Sequence, residues 1–207
     1  MVYDTHRNRV NFIGLSKEAV AAAYRSLPVI VAVSVCWCLL APTIVLLGPA
    51  TATAVAAAGA VLRGDRFRLG TATTAVRRYF WRSQFPLVPT FVLIDVVGLS
   101  WLQFHRTGEL AYGILAFFAV DTLVVLLVLL LYYYPLLVDA DRSARETARR
   151  SAELAFERFV PTVGLIAFCL SLGLLFGFTV AGFLLLGPGV VATVLTLATR
   201  YLSTGAS

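Results

Sequence analysis

Charged residues are scarce in this chain. They make up 14% of 207 residues, against about a quarter in an ordinary soluble domain. With 59% hydrophobic residues and a mean hydropathy of +0.86, that scarcity excludes a water-soluble globule. Cysteine is sparse too: Cys36, Cys38 and Cys169 all fall in apolar runs, so neither a disulfide framework nor a zinc site is implied. Histidine is reduced to His6 and His105, isolated and outside the apolar spans. No HExxH, GxSxG or Walker-type loop is present, and the turns between apolar runs are too short to build a soluble-type active site. The chain reads as a non-enzyme with no metal and no cofactor.

What is present is arginine, and its placement orients the chain. The net charge of +6 and pI near 9.6 raise the possibility of nucleic acid. However, the basic residues flank apolar segments and form no stripe with aromatics for stacking bases, so anionic headgroups of a lipid bilayer are the expected partner and nucleic acid is not. Sixteen of the seventeen basic residues fall in four blocks: Arg7, Arg9, Lys17 and Arg25; Arg63, Arg66, Arg68, Arg77, Arg78 and Arg82; Arg142, Arg145, Arg149, Arg150 and Arg158; and Arg200. The positive-inside rule makes these cytoplasmic and Arg106 extracytoplasmic. A segment of this length and polarity before residue 26 does not match a signal peptide's basic leader, so the first apolar run reads as a retained helix.

The long apolar runs are 28–47, 85–104, 110–134 and 160–186, each at least the ~20 residues needed to cross a ~30 Å core. Two shorter runs, 50–62 and 189–202, each follow the tetrapeptide Leu-Leu-Gly-Pro, at 46–49 and 185–188. Unless 50–62 crosses, two arginine blocks change sides; it is therefore read as a short crossing, only ~20 Å long at ~1.5 Å per residue. The expectation is an all-α, polytopic transmembrane bundle forming a single domain over 1–207. Its six crossings make three hairpins, with both termini cytoplasmic, in the plasma membrane. Outer turns are expected at Gly48-Pro49, His105 to Glu109, and Gly187-Pro188.

A cytoplasmic helical segment is expected before each hairpin: 16–26 with Ser16 as N-cap, 73–84, and 142–158. The last two align at an offset of 72, matching Arg77-Arg78 with Arg149-Arg150 and Val88-Pro89-Thr90 with Val160-Pro161-Thr162. This suggests a threefold parallel repeat over 16–66, 72–140 and 142–203; chance similarity between arginine-rich and aliphatic segments is the alternative. In 142–158, Ala144, Ala148, Ala152, Ala155 and Phe159 share a face, opposite the i,i+4 pairs Glu146 with Arg150 and Arg149 with Glu153. Arg77, Arg78, Arg82, Arg149 and Arg150 are the candidate contacts for lipid headgroups or a protein partner, with surface anchoring the default.

Small residues every four positions mark close helix contacts, within one chain or between protomers: Gly48, Ala52, Ala56 and Ala60, and Gly173, Gly177 and Ala181. Tyr132, Tyr133 and Tyr134 read as an interfacial belt, with Pro135 ending their helix. Asp95 and Asp121 fall deep in apolar runs, at similar depth on adjacent antiparallel helices. They are either a proton or cation site, or neutral carboxyls bonded to each other, to Thr90 or Thr122, or to a backbone carbonyl.

Gly48-Pro49-Ala50-Thr51-Ala52 after the first apolar run, then arginines and aromatics through Phe80-Trp81, then Tyr132-Tyr133-Tyr134-Pro135-Leu136, resembles the YesL-like integral membrane proteins. These are small bacterial and archaeal proteins classed as a domain of unknown function. The resemblance covers roughly 28–202 and supplies no catalytic residues. It implies, by genomic association, a non-enzymatic accessory or assembly role beside a carbohydrate transporter complex. The alternatives are a small proton- or cation-coupled transporter using Asp95 and Asp121, and a structural membrane organiser.

Overall fold

A computed structural model describes residues 21, 24–65, 69–177 and 180–204. Their regular elements are eight helices: α1 (Leu27–Leu40), α2 (Ile44–Arg63), α3 (Leu69–Gln84), α4 (Leu87–Thr107), α5 (Leu110–Ala140), α6 (Ala144–Glu157), α7 (Phe159–Gly177) and α8 (Val180–Thr204). The chain is an all-helical bundle. Helices α2, α4, α5 and the 184–203 stretch of α8 are long and apolar enough to cross a membrane. Helices α6 and α7, bent by 100° where they meet, would together make a fifth span, and α1 is shorter. Most of the expected segment at 16–26, with Ser16, and the residues Arg7, Arg9, Lys17, Arg66 and Arg68 lie outside the described residues.

Helix ends follow local chemistry. Gly64 closes α2 with φ +75°, its N–H reaching Val61 O at 3.0 Å while Asp65 N–H reaches Ala60 O at 2.9 Å. Gly108 closes α4 in the same left-handed region, φ +72°, so the break between α4 and α5 falls inside the His105 to Glu109 turn read from sequence. Ser143 caps α6, its Oγ accepting from Glu146 N–H at 3.3 Å, and the Ser-x-x-Glu spacing is that of a capping box.

The Leu-Leu-Gly-Pro segments are not turns. Pro49 lies inside α2 and Pro188 inside α8, and the first hairpin turns instead at 41–43, where Thr43 Oγ1 donates to Leu40 O at 2.6 Å. Run 28–47 is therefore divided between α1 and α2, and run 160–186 ends as α7 at Gly177. The short crossing is replaced by a helix of 20 residues, ~30 Å long, which needs no thinned bilayer. A proline inside a helix leaves the carbonyl four residues earlier without its donor. Here both orphaned carbonyls find one on another helix: Gln84 Nε2 donates to Val45 O, and the Cys38 thiol to Leu184 O at 3.9 Å. Pro135 likewise does not end its helix, since α5 continues to Ala140.

The centre is built from α2, α5 and α8. Thr51, Val55, Leu130, Tyr134, Pro188 and Val191 surround one small cavity, whereas Arg200 of α8 approaches Gly59 of α2 and pairs with Asp139 of α5 at 2.8 Å. The three helices therefore run in the same direction. Of the stripe on α2, Gly48, Ala52 and Ala60 are buried and Ala56 is half-buried, so this stripe is a contact face inside the chain. Of the second stripe, Gly173 is exposed with nothing within 4 Å of an added Cβ, and the surroundings of Gly177 and Ala181 lie outside the described residues.

The tyrosines expected at an interface are core residues. Tyr132, Tyr133 and Tyr134 are 0%, 2% and 6% exposed. Burying a phenol requires a partner for its hydroxyl, and each has one: Tyr132 Oη lies 2.8 Å from Thr162 Oγ1, Tyr133 Oη donates to Arg82 O at 2.6 Å, and Tyr134 Oη donates to Ser83 O at 3.3 Å. Three consecutive side chains thus tie α5 to α7 and to the end of α3. Helix α3 is joined to the bundle at its C-terminal end, which packs on the start of α2, where a Cβ on Gly48 would stand 2.8 Å from Ser83 O.

Candidate lipid and partner contact surfaces

The arginines of α3 are divided by one acidic residue. Asp141 caps α5 in the left-handed conformation, φ 47°, which a short polar side chain tolerates better than most. It receives Arg78 Nε at 3.2 Å and Arg78 Nη2, with Arg82 Nη1 at 3.0 Å. The Arg78 hydrogen bond, aided by the charges of Arg78 and Arg82, holds the Asp141 carboxyl below the usual carboxylate range. Arg82 also donates to Arg142 O at 3.4 Å. Arg78 and Arg82, both expected to contact headgroups or a partner, are thus drawn into locking α3 to the end of α5. Arg77 is exposed and makes no ion pair among the described residues.

On α6, Arg149 Nε and Arg150 Nη1 both bond Glu153, each at 3.0 Å. The hydrogen bonds from Arg150 and then Arg149 hold the Glu153 carboxyl low. Arg149 with Glu153 is the pair read from sequence, but Glu146 pairs with Arg142 at 3.7 Å rather than with Arg150. The buried face also differs: Thr147, Ser151, Leu154 and Ala155 turn inward, and Phe159 is exposed. Thr147 and Ser151 can face inward because their hydroxyls bond backbone carbonyls four residues earlier, at 2.9 and 2.8 Å.

Asp95 and Asp121 are not enclosed. Both are exposed on the α4–α5 hairpin, with no hydrogen bond or ion pair between them or to other described residues. The hydroxyls expected as partners are committed to their own helices, Thr90 to Pro86 O at 2.7 Å and Thr122 to Phe118 O at 2.8 Å. Helix α4 packs on α5 but barely on the rest of the bundle. The hairpin presents Ile94, Leu99, Phe117 and Phe118 outward around the two carboxylates.

Among the described residues, cavities open between helices at two places. The larger, about 560 Å³, lies between α1, α2 and α3, its α1 wall running from Pro28 to Leu40 and its α3 wall including Val76 and Arg77. The smaller, about 220 Å³, lies among α1, α2, α5, α7 and α8 against Trp37 and Tyr134. Trp37 donates Nε1 to Thr51 Oγ1 at 3.0 Å. Sequence reading missed Asp139, Asp141 and Gln84. The signal for the first two was the Asp-Ala-Asp-Arg run after the tyrosines, obscured by taking Pro135 as the helix end.

No protein-family model, curated protein or solved structure matches the chain. The resemblance to YesL-like proteins therefore rests on the short motifs alone.

Proposed function

We propose that this chain is a multi-pass plasma-membrane protein with both termini cytoplasmic, acting as a non-enzymatic accessory or assembly partner of another membrane protein complex. A carbohydrate transporter is the candidate complex, on the resemblance alone. The observation that carries the reading is the α4–α5 hairpin. Its apolar outer face is exposed among the described residues and bears two carboxylates, Asp95 and Asp121. A carboxylate facing acyl chains costs about 2.5–3.5 kcal/mol on the insertion scale. A spanning helix of a partner, carrying a basic or hydrogen-bonding group, removes that cost by covering it.

The transporter alternative is less well supported, because both acids lie on the outside of the hairpin rather than along a shared interior path, and the described cavities are lined mainly by apolar side chains. The one-sided arginine pattern is consistent with the proposed orientation, since Arg63, Asp139 and Arg200 gather at one end of α2, α5 and α8.

The test is photo-crosslinking from Ile94 and Phe118 in native membranes. Adducts to a membrane protein that are lost in Asp95→Leu/Asp121→Leu are the expected result. Adducts to lipid alone, identical in the wild type and the double variant, would refute the accessory reading.

A further inference from the structure

We infer that the cavity between α1, α2 and α3 is a binding site for one acyl chain of an anionic lipid, with Arg77 holding its phosphate. The proposal rests on the membrane reading of the chain and adds a specific ligand to it.

The cavity's shape and chemistry select such a ligand. Its wall along α1, from Pro28 to Leu40, is ~18 Å of helix, close to the ~15 Å filled by one leaflet of a ~30 Å core. The volume of about 560 Å³ is lined by apolar groups such as Ala32, Trp37, Ala54 and Val76. The polar groups in the wall are already satisfied: Thr53 donates to Pro49 O at 2.8 Å, Thr73 to Gly70 O at 3.0 Å, and Trp37 to Thr51 at 3.0 Å. A sugar, an amino acid or a hydrated ion would find no partners there, and its desolvation would be uncompensated.

Arg77 is the exception in that wall. Asp141 takes Arg78 and Arg82 and leaves Arg77 without an ion pair among the described residues. A guanidinium at the edge of an apolar slot matches a phosphate that carries a hydrocarbon tail. A protein helix is the competing occupant, but the slot offers it one cation and no other free polar group.

The test uses the full chain with Cys38→Ser and Cys169→Ser, leaving Cys36, an exposed residue of the cavity wall, as the single thiol. Its alkylation by N-ethylmaleimide is timed in neutral detergent alone, and with phosphatidylglycerol, phosphatidylcholine or inorganic phosphate. Lipid retained through purification is measured in parallel by mass spectrometry. Phosphatidylglycerol should slow alkylation about fivefold more than phosphatidylcholine, the scale of one arginine near an anionic surface. Inorganic phosphate should not slow it.

Arg77→Gln should abolish the preference between the two lipids and Arg77→Lys should keep it. Ala32→Phe, which fills the slot from an exposed position, should lower retention of both lipids without lowering thermal stability. Equal alkylation under all conditions, protection by phosphate alone, or a preference that survives Arg77→Gln would overturn the proposal. So would protection in native membranes traced to a protein instead of a lipid. Resistance to alkaline carbonate extraction, measured on the same preparations, separates the outcomes. A chain that is extracted sinks the membrane reading, and one that stays embedded but shows no protection sinks the lipid site alone.

Discussion

Replacing Gly48 with alanine tests the helix contact on which the interior of the bundle depends. An added Cβ would stand 2.8 Å from Ser83 O and 3.0 Å from both Ser83 C and Oγ, where ordinary contact begins at 3.4 Å. Helices α2 and α3 must separate there by about 0.6 Å, the difference between 3.4 and 2.8 Å. The obstacle is backbone, so no side chain can rotate away. Overpacking of this kind costs about 1–3 kcal/mol, and the shift also disturbs the Tyr134 bond to Ser83 O, worth about 1 kcal/mol. Alanine's helix preference over glycine returns about 0.8–1 kcal/mol. The net loss is about 1–3 kcal/mol, or about 2–12 °C in Tm for a chain of this size. Gly173→Ala is the internal control: it meets nothing within 4 Å and should gain up to about 1 kcal/mol. Thermal unfolding of the three proteins in one detergent, followed by fluorescence, gives the comparison. If Gly48→Ala matches or exceeds wild-type stability, the close packing of α3 on α2 is wrong.

Gln84→Ala should destabilise by about 1 kcal/mol, since it strands the Val45 carbonyl. The loss should shrink in Pro49→Ala/Gln84→Ala, where residue 49 regains an N–H for that carbonyl; a double-mutant cycle with no coupling would dismiss this account. Asp141→Asn should lower stability at neutral pH. Because the native carboxyl is depressed, its contribution is full above the ordinary aspartate pKa of about 4 and fades as pH falls through the folded value. The gap in Tm between wild type and variant should therefore narrow between pH 7 and pH 3, and a constant gap would count against the Arg78–Asp141–Arg82 lock. For topology, single cysteines at Gly70 and Thr107, both exposed, should differ in labelling by an impermeant thiol reagent in intact cells, with Thr107→Cys labelled and Gly70→Cys protected. Labelling of both from outside would dismantle the proposed orientation.

The parts legible in the sequence were those determined by neighbours along the chain. The α4–α5 turn could be read because His105, Arg106, Thr107 and Glu109 are polar and Gly108 can adopt positive φ. Helix α6 could be placed because Ala144, Ala148, Ala152 and Ala155 recur at helical spacing opposite charged pairs, although which face turned inward depended on Tyr132 and Leu165 arriving from other helices. The Arg149 pair with Glu153 was local and was read correctly, whereas the fates of Arg78 and Arg82 were decided by Asp141, about 60 residues away. Asp95 and Asp121 mark the same limit. Their depth within an apolar run could be counted, but whether the hairpin entered the bundle depended on what packed against α4, and little does.

Leu-Leu-Gly-Pro shows why a strong local signal can mislead in an apolar chain. In a water-soluble protein Gly-Pro is punctuation, because a helix interrupted there loses a hydrogen bond and gains nothing. Inside a bundle the same pair has two uses: the glycine lets a neighbouring backbone approach, and the proline frees a carbonyl for a donor on another helix. At 46–49 the neighbour is Ser83 and the donor Gln84, 39 residues from Val45. At 185–188 the donor is Cys38, 146 residues from Leu184, and the close approach falls one residue later, where Gly189 N–H bonds Ser34 Oγ at 3.0 Å. The repeated tetrapeptide thus marks where α2 and α8, running in the same direction, each receive a crossing partner. Such a partner is invisible to any window short enough to be read as a turn.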